Sequence, residues 1–375
     1  MVNNMNKKIM SNYNKQLYVF LSLFIIISLV SIYSAETILS YNNHFFIKQI
    51  IWYSLGIVLI FLLTKIDNKI IYKYSIYLYI LGNILLLLLL FFGNEVNNAR
   101  CWFMIPYIGS FQPSEFMKII LIIVLSKTTS EFNQKYNSPT IKEEFIFLLK
   151  ILGIVAIPSI LTFLEPDTGV VLIYALITIF ILFISGIRIR WFVLLFSAII
   201  LSIGIILGIY FLNKDLFIKI LGTDFFLRVD RLLDWSNKSG YQLENGLIAI
   251  GSGGLLGHGF NHTPIYFPEP QTDFIFAVFS SNFGFIGSLI LLILILFFDL
   301  NLINLAKSSN LINKYIIAGI LGMLVYQQFQ NIGMTLGIIP ITGITLPFIS
   351  YGGSSLLSYM IIIALTLNIS KEKIS

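Results

Sequence analysis

Two ionisable residues lie inside an otherwise apolar stretch: Glu115 and Lys118, in Gln112-Pro113-Ser114-Glu115-Phe116-Met117-Lys118. Charge in a bilayer core is costly, so such residues mark a functional site by default. Their spacing puts both on one helical face, where they neutralise each other. A packing pair and a site for a charged headgroup fit equally well. Other acids stand where apolar segments begin. Glu165-Pro166-Asp167-Thr168 makes a tight turn, and Thr272-Asp273 follows Pro268-Glu269-Pro270. Asp167 or Thr168 suits a helix N-cap, and an acid at 273 complements a helix dipole. From the residue alone, capping accounts for Asp273 better than catalysis does. Arg100 and Trp102 sit just ahead of the Glu115 segment, where a tryptophan ordinarily anchors the bilayer interface. The run Gly251-Ser252-Gly253-Gly254 matches neither the dinucleotide-binding nor the Walker register, and it reads as close-packed backbone. Tyr351-Gly352-Gly353-Ser354-Ser355 reads the same way. With three His and one Cys, a Cys/His zinc site is excluded, and Cys101 has no intramolecular disulfide partner.

The elements that carry these residues follow from composition. Of 375 residues, 57% are hydrophobic and only 11% charged, against about a quarter charged in soluble domains. A span takes about 20 apolar residues, so the chain is an all-α polytopic membrane protein. Soluble enzymes, disordered chains and disulfide scaffolds are excluded. Ten transmembrane helices are predicted, over 17–34, 46–64, 74–93, 112–128, 145–164, 168–186, 191–213, 273–298, 315–339 and 347–369. The first is too long for a signal-peptide core and is read as uncleaved. Ser280-Ser281-Asn282-Phe283-Gly284 predicts a break in the eighth.

Basic residues set the orientation. Sixteen of the 24 Lys and Arg fall in the N-tail, the loops at 65–73, 127–150, 187–190 and 299–314, and the C-tail. The opposite short loops carry almost none, which places both termini in the cytoplasm. The net charge of +6 therefore reports membrane topology, and no nucleic acid is expected. The whole chain, 1–375, is read as one membrane domain. It has cytoplasmic tails at 1–16 and 370–375 and a large extracellular loop, 214–272, between helices 7 and 8. Long loops within compact domains are usually functional, so any chemistry should face outward. That loop carries Arg228, Asp230, Arg231, Asp234, Glu244 and Glu269.

Taken together, the segments resemble the SEDS family of shape, elongation, division and sporulation proteins, the group of RodA, FtsW and SpoVE. The matching pieces are Asn98-Ala99-Arg100-Cys101-Trp102-Phe103, Phe111 to Lys118, and Glu165-Pro166-Asp167-Thr168-Gly169. Further along come Gly240-Tyr241-Gln242, Ile248 to Gly254, Pro268-Glu269, and Thr272-Asp273-Phe274-Ile275-Phe276-Ala277. Asn331-Ile332-Gly333-Met334 and Pro347 to Ser355 complete the order, from about 46 to 369. Where the family commonly has Gly-Glu-Glu, this chain has Ser280-Ser281-Asn282. Asn245-Gly246 replaces the common Gln-Ser, and Cys101 the usual bulky polar residue before Trp102.

The resemblance implies a peptidoglycan glycosyltransferase that polymerises lipid II in the bacterial cytoplasmic membrane, its active site on the outer face. It implies roles in elongation, division or sporulation. It assigns catalysis to Asp273, and importance for activity to Trp102. Lipid II carries an α-linked sugar and the polymer is β-1,4-linked, so the anomeric carbon inverts. One carboxylate can take the proton of the acceptor hydroxyl. Cations must offset charge on the departing undecaprenyl diphosphate, and Arg100, Lys118 and Arg228 are the candidates. Glu115 and Glu269 join Trp102 as expected substrate contacts. The metal requirement is open, with a divalent cation, magnesium or manganese, as the one cofactor considered. A class B penicillin-binding protein is the expected partner, alongside lipid II and the growing glycan strand. Two other functions fit the same sequence: a lipid II flippase or transporter, and a non-catalytic scaffold for that transpeptidase.

Overall fold

A computed structural model describes residues 2–39, 44–96, 99–105, 109–223, 225–226, 229 and 240–372. The described helices are α1 (Val2–Ile38), α2 (Phe45–Leu63), α3 (Asn68–Phe92), α4 (Pro113–Lys135), α5 (Ile141–Leu164) and α6 (Thr168–Ile184). They continue with α7 (Ile189–Leu212), α8 (Lys214–Leu221), α9 (Tyr241–Ser252), α10 (Ile275–Lys307), α11 (Leu311–Thr335) and α12 (Gly353–Glu372). Seven of them, α1, α2, α3, α5, α7, α10 and α12, are long and apolar enough to cross a membrane. The chain is a helical, polytopic membrane protein. The other three predicted segments also fold as helices. α6 has only 17 residues, and α4 and α11 carry more polar side chains because they lie inside the bundle.

The chain divides into two compact units, residues 1–185 with 245–375, and residues 186–244. In the smaller unit, Tyr210 of α7, Phe217 of α8 and Val229 form a small core with Phe225 and Phe226. Lys214 lies over the Tyr210 ring, 5.5 Å from its centroid.

In the larger unit α4 is the central helix. Met117, Leu121, Ile122 and Leu125 are wholly buried, and Ile119, Ile123 and Val124 on the remaining faces are buried too. Burial on every side explains why α4 lacks an amphipathic stripe. Helix starts follow their caps: Asp67 for α3, a Thr140–Glu143 capping box for α5, Asp167 for α6 and Asn310 for α11. Gly56 of α2 lets Met360 of α12 pack against its backbone.

Three expectations change. The all-α reading omits a three-stranded antiparallel sheet, β1 (Asn94–Val96), β2 (Ala99–Ile105) and β3 (Gly109–Phe111). Its strands are too short to give the long apolar signal that marks a span. The outer segment 214–272 contains α8 and α9 rather than loop alone. The last helix starts at Gly353, because residues 340–352 are irregular and Phe348 takes a left-handed backbone (φ 65°).

The expected break in the eighth span falls at Gly284 (φ 63°, ψ −163°), and α10 continues beyond it to Lys307. The glycine-rich run after α9 fills the break. Phe285 N–H donates to Gly254 O (2.9 Å) and Ile286 N–H to Leu255 O (3.1 Å). In return His258 N–H donates to Ser281 O and Gly259 N–H to Asn282 O, each at 3.0 Å. Main-chain groups freed by the kink are thus satisfied from outside the helix, as buried backbone requires. Such close approach is open only to glycine: Gly257 has φ 82°, and a Cβ there would run into the Asn282 carbonyl.

Candidate active site

At the end of the larger unit where α4, α6, α10 and α12 begin, the structure opens into a cavity of about 1200 Å³. Its wall gathers residues far apart in sequence: Trp52, Trp102, Glu115, Asp167, Glu269 and Asp273 among them. The sheet supplies Trp102, half-buried on β2, where it pairs with Asn94 across the ladder. Ser354 Oγ ties the sheet to α12, donating to Ser110 O (3.2 Å) and accepting from the Gln112 N–H (3.0 Å).

Asp273 precedes the first turn of α10, on a loop held by its own backbone. Asn331 Nδ2 donates to Asp273 O (2.9 Å), Ser350 Oγ to Thr272 O (2.7 Å) and Tyr351 N–H to Gln271 O (2.8 Å). Glu269 has a left-handed backbone (φ 52°). Its Oε2 accepts from Gln271 Nε2 and Thr272 Oγ1, both at 2.9 Å. Burial pushes the Asp273 carboxyl up to about 7, helped by the Glu269 charge and opposed by Thr272. Asp273 makes no cap hydrogen bond to α10; the N-cap position is Phe274. This removes the capping alternative for Asp273.

Asp167 does cap its helix. Oδ1 accepts from the Val170 N–H (3.1 Å), while Oδ2 accepts from Gln112 Nε2 (3.0 Å) and faces the cavity wall. Burial raises it to about 6, against the Val170 hydrogen bond. Glu165 beside it is wholly buried, and neither carboxyl oxygen has a partner. Burial, then the Asp167 charge, raises Glu165 to about 8. Cys101 Sγ donates to Glu165 O (3.0 Å), and burial pushes that thiol up.

Glu115 and Lys118 form an ion pair of 2.7 Å in the floor of the cavity. Only Glu115 reaches the wall; Lys118 is wholly buried behind it, 5.7 Å from the Tyr359 ring centroid. Ser358 Oγ adds a 3.4 Å hydrogen bond to Glu115 Oε2. Arg100 is outside the wall. It pairs with Glu95 at 3.3 Å on the exposed side of the sheet, where such a pair contributes little. Arg228 lies outside the described residues.

Sequence reasoning passed over Lys48 and Trp52. Both line the cavity from α2, one turn apart. Lys48 lies within the predicted span 46–64, so the test that singled out Glu115 and Lys118 would have found it. Trp52 lies against Gly353, where a Cβ would come within 2.5 Å of the indole; this is what the Gly352-Gly353 pair provides.

The sequence and the fold are shared with known proteins. Residues 10–375 match the FtsW/RodA/SpoVE family model, described as cell cycle protein. Similar relatives include the probable peptidoglycan glycosyltransferase FtsW of Coxiella burnetii, 35% identical over 92% of this chain and 93% of that one. Stage V sporulation protein E of Bacillus subtilis is 33% identical over 93% and 94%. Among solved structures, one from a peptidoglycan synthase complex coordinating polymerization and crosslinking aligns with a TM-score of 0.78. It is 26% identical and covers 95% of this chain and 97% of its own. The rod shape determining protein RodA of Thermus thermophilus aligns at 0.68, also 26% identical, covering 95% and 96%. The chain belongs to the FtsW/RodA/SpoVE family of cell cycle proteins.

Proposed function

We propose that the cavity is where lipid II is polymerised, with Asp273 as the base that deprotonates the acceptor hydroxyl. The activity is that of a peptidoglycan glycosyltransferase serving cell division, elongation or sporulation. One observation carries the assignment of the site: a single cavity lined by Trp102, Glu115, Glu269 and Asp273, drawn from four separate motifs. A raised, half-buried carboxylate beside a second acid suits a base working near neutral pH. Trp102, Glu115 and Glu269 contact substrate within the cavity, Lys118 acts through Glu115, and Arg100 and Arg228 serve substrate parts beyond it. Among the described residues no three His, Cys, Asp or Glu gather as a closed metal site. Magnesium or manganese, commonly bound by one or two carboxylates plus substrate phosphates, would draw on Glu269 and supply charge to the diphosphate.

Ten spans with both termini in the cytoplasm set this cavity on the outer face of a single membrane domain. The basic loops lie at the opposite ends of the helices, as that orientation requires. A class B penicillin-binding protein supplies the crosslinking partner; the assembly from which the 0.78 match derives supports this.

The test is polymer formation from labelled lipid II by the purified chain with its cognate transpeptidase, moenomycin silencing class A enzymes. Wild type should make long glycan, and Asp273→Ala and Asp273→Asn should lose about 10²–10⁴-fold in rate, as loss of a general base does. Equal polymer from wild type and both variants removes Asp273 as the base. No polymer from an intact complex favours the scaffold or flippase.

A further inference from the structure

α2 is held by one face and offers the next one to the cavity. Gln49 donates to Ser350 O (3.3 Å), the Tyr53 hydroxyl to Phe348 O, and Gly56 packs on Met360. The adjacent stripe is Lys48, Ile51, Trp52 and Leu55, at spacings of three and four, and all four line the cavity. Along this stripe an ammonium at the helix start is followed by Ile51, the indole of Trp52 and Leu55, so one charged side chain leads into an apolar row. Ile51 and Leu55 are 52% and 48% exposed, so the stripe runs from the cavity to the lipid-facing surface. Lys48 is the one basic residue among the described lining, against Glu115, Asp167, Glu269 and Asp273. Among the described residues it has no ion pair, unlike Lys118, and it leans over the Phe45 ring at 5.9 Å. Phe45 stacks edge-on against Tyr351 (4.8 Å), and Tyr351 N–H reaches the Asp273 loop at Gln271. The cationic stripe and the acidic loop are thereby held in fixed relation.

We infer that this face of α2 is the slot for the donor's polyprenyl diphosphate, with Lys48 meeting the diphosphate and Ile51 and Leu55 guiding the first isoprene units into the bilayer. The inference rests on the polymerase reading and deepens it. Glu115 is already paired with Lys118, and Asp167, Glu269 and Asp273 repel an anion, so among the described lining side chains Lys48 is the one whose charge complements it. The leaving group of an inverting transfer must also depart on the side away from the base, which separates the diphosphate from Asp273. An ordinary interfacial lysine would snorkel to the headgroups and bind any anionic lipid alike.

Binding is measured in nanodiscs of neutral lipid with three probes: undecaprenyl diphosphate, inorganic diphosphate and phosphatidylglycerol. The proteins are wild type, Lys48→Ala, Lys48→Arg, Leu55→Gln and Asp273→Ala, each checked for an unchanged Tm. Lys48→Ala should weaken undecaprenyl diphosphate roughly tenfold to a hundredfold, as loss of a charged hydrogen-bond donor does. It should raise KM for lipid II, and Lys48→Arg should restore both. Leu55→Gln should weaken the polyprenyl probe and leave inorganic diphosphate unchanged. Wild-type affinity in Lys48→Ala overturns the slot, as does equal Lys48-dependent binding of phosphatidylglycerol, which makes Lys48 a lipid anchor. Asp273→Ala should bind like wild type. Lys48-dependent binding without polymer sinks the polymerase reading and keeps a lipid site, whereas polymer with no Lys48 effect sinks only the slot.

Discussion

A carboxylate that titrates near neutrality converts a small change in pH into a large change in the fraction of active base. Asp273 sits at about 7, so polymerisation should rise with pH through an acid limb centred there. The pH–rate profile of kcat/KM checks this. Glu269→Gln removes the neighbouring negative charge, so it should move that limb to lower pH while burial keeps it above an ordinary aspartate. Glu165 affects stability instead. Its carboxyl titrates in the unfolded chain near the usual glutamate value and in the fold at about 8. Between those two values the folded state holds the extra proton, so stability falls as pH rises, and the loss is complete above about 8. Glu165→Gln should flatten that slope and raise Tm at pH 8, read by thermal unfolding in detergent across pH. The Glu115–Lys118 pair behaves differently again. Glu115→Gln leaves a buried ammonium alone and should cost about 3–5 kcal/mol, and adding Lys118→Met should recover most of it in a double-mutant cycle.

Between elements, the contact that matters most is made of backbone. The glycine-rich run 251–259 supplies hydrogen bonds that α10 loses at Gly284, so each of the two irregular segments completes the other. Gly257→Ala should cost about 1–3 kcal/mol through its left-handed backbone, and more from the Asn282 contact. Gly208→Ala, in open space on α7, should be neutral or gain about 0.5–1 kcal/mol. Thermal stability of the two variants decides it. Both halves of this contact were legible in the sequence, as a polar break in a span and as glycines outside any phosphate-binding register. Their pairing was not, because nothing local links residue 257 to residue 282. The helices were legible because 20 apolar residues are a strong signal, and the sheet over 94–111 was hidden because strands of three to seven residues are not. From the residue alone Asp273 reads as a cap and only the family resemblance makes it a catalytic candidate; the structure puts Phe274 at the cap position. Lys48 was masked by a habit of lysines, which often stand near span ends as anchors.

The molecule as a whole has one cysteine, and it is buried, which makes its topology easy to test. In a Cys101→Ser background, a cysteine replacing Leu256 should react with an impermeant maleimide in intact spheroplasts. One replacing Lys307 should react only after permeabilisation. The reverse pattern would invert the orientation and put the cavity on the cytoplasmic side. At Gly284 the molecule also manages force. A bilayer thinner or thicker than a helix is met by tilting that helix. Residues 254–259 bond to both sides of the break, to Ser281 and Asn282 before it and to Phe285 and Ile286 after it, so the two pieces of α10 are braced against each other. Such a brace should hold the angle at Gly284, so that tilt of the helix is shared with residues 254–259 and does not displace the loop that carries Asp273. Polymerisation rate should accordingly stay level across nanodiscs of short- and long-chain lipids, and become thickness-dependent once Gly257→Ala loosens the brace.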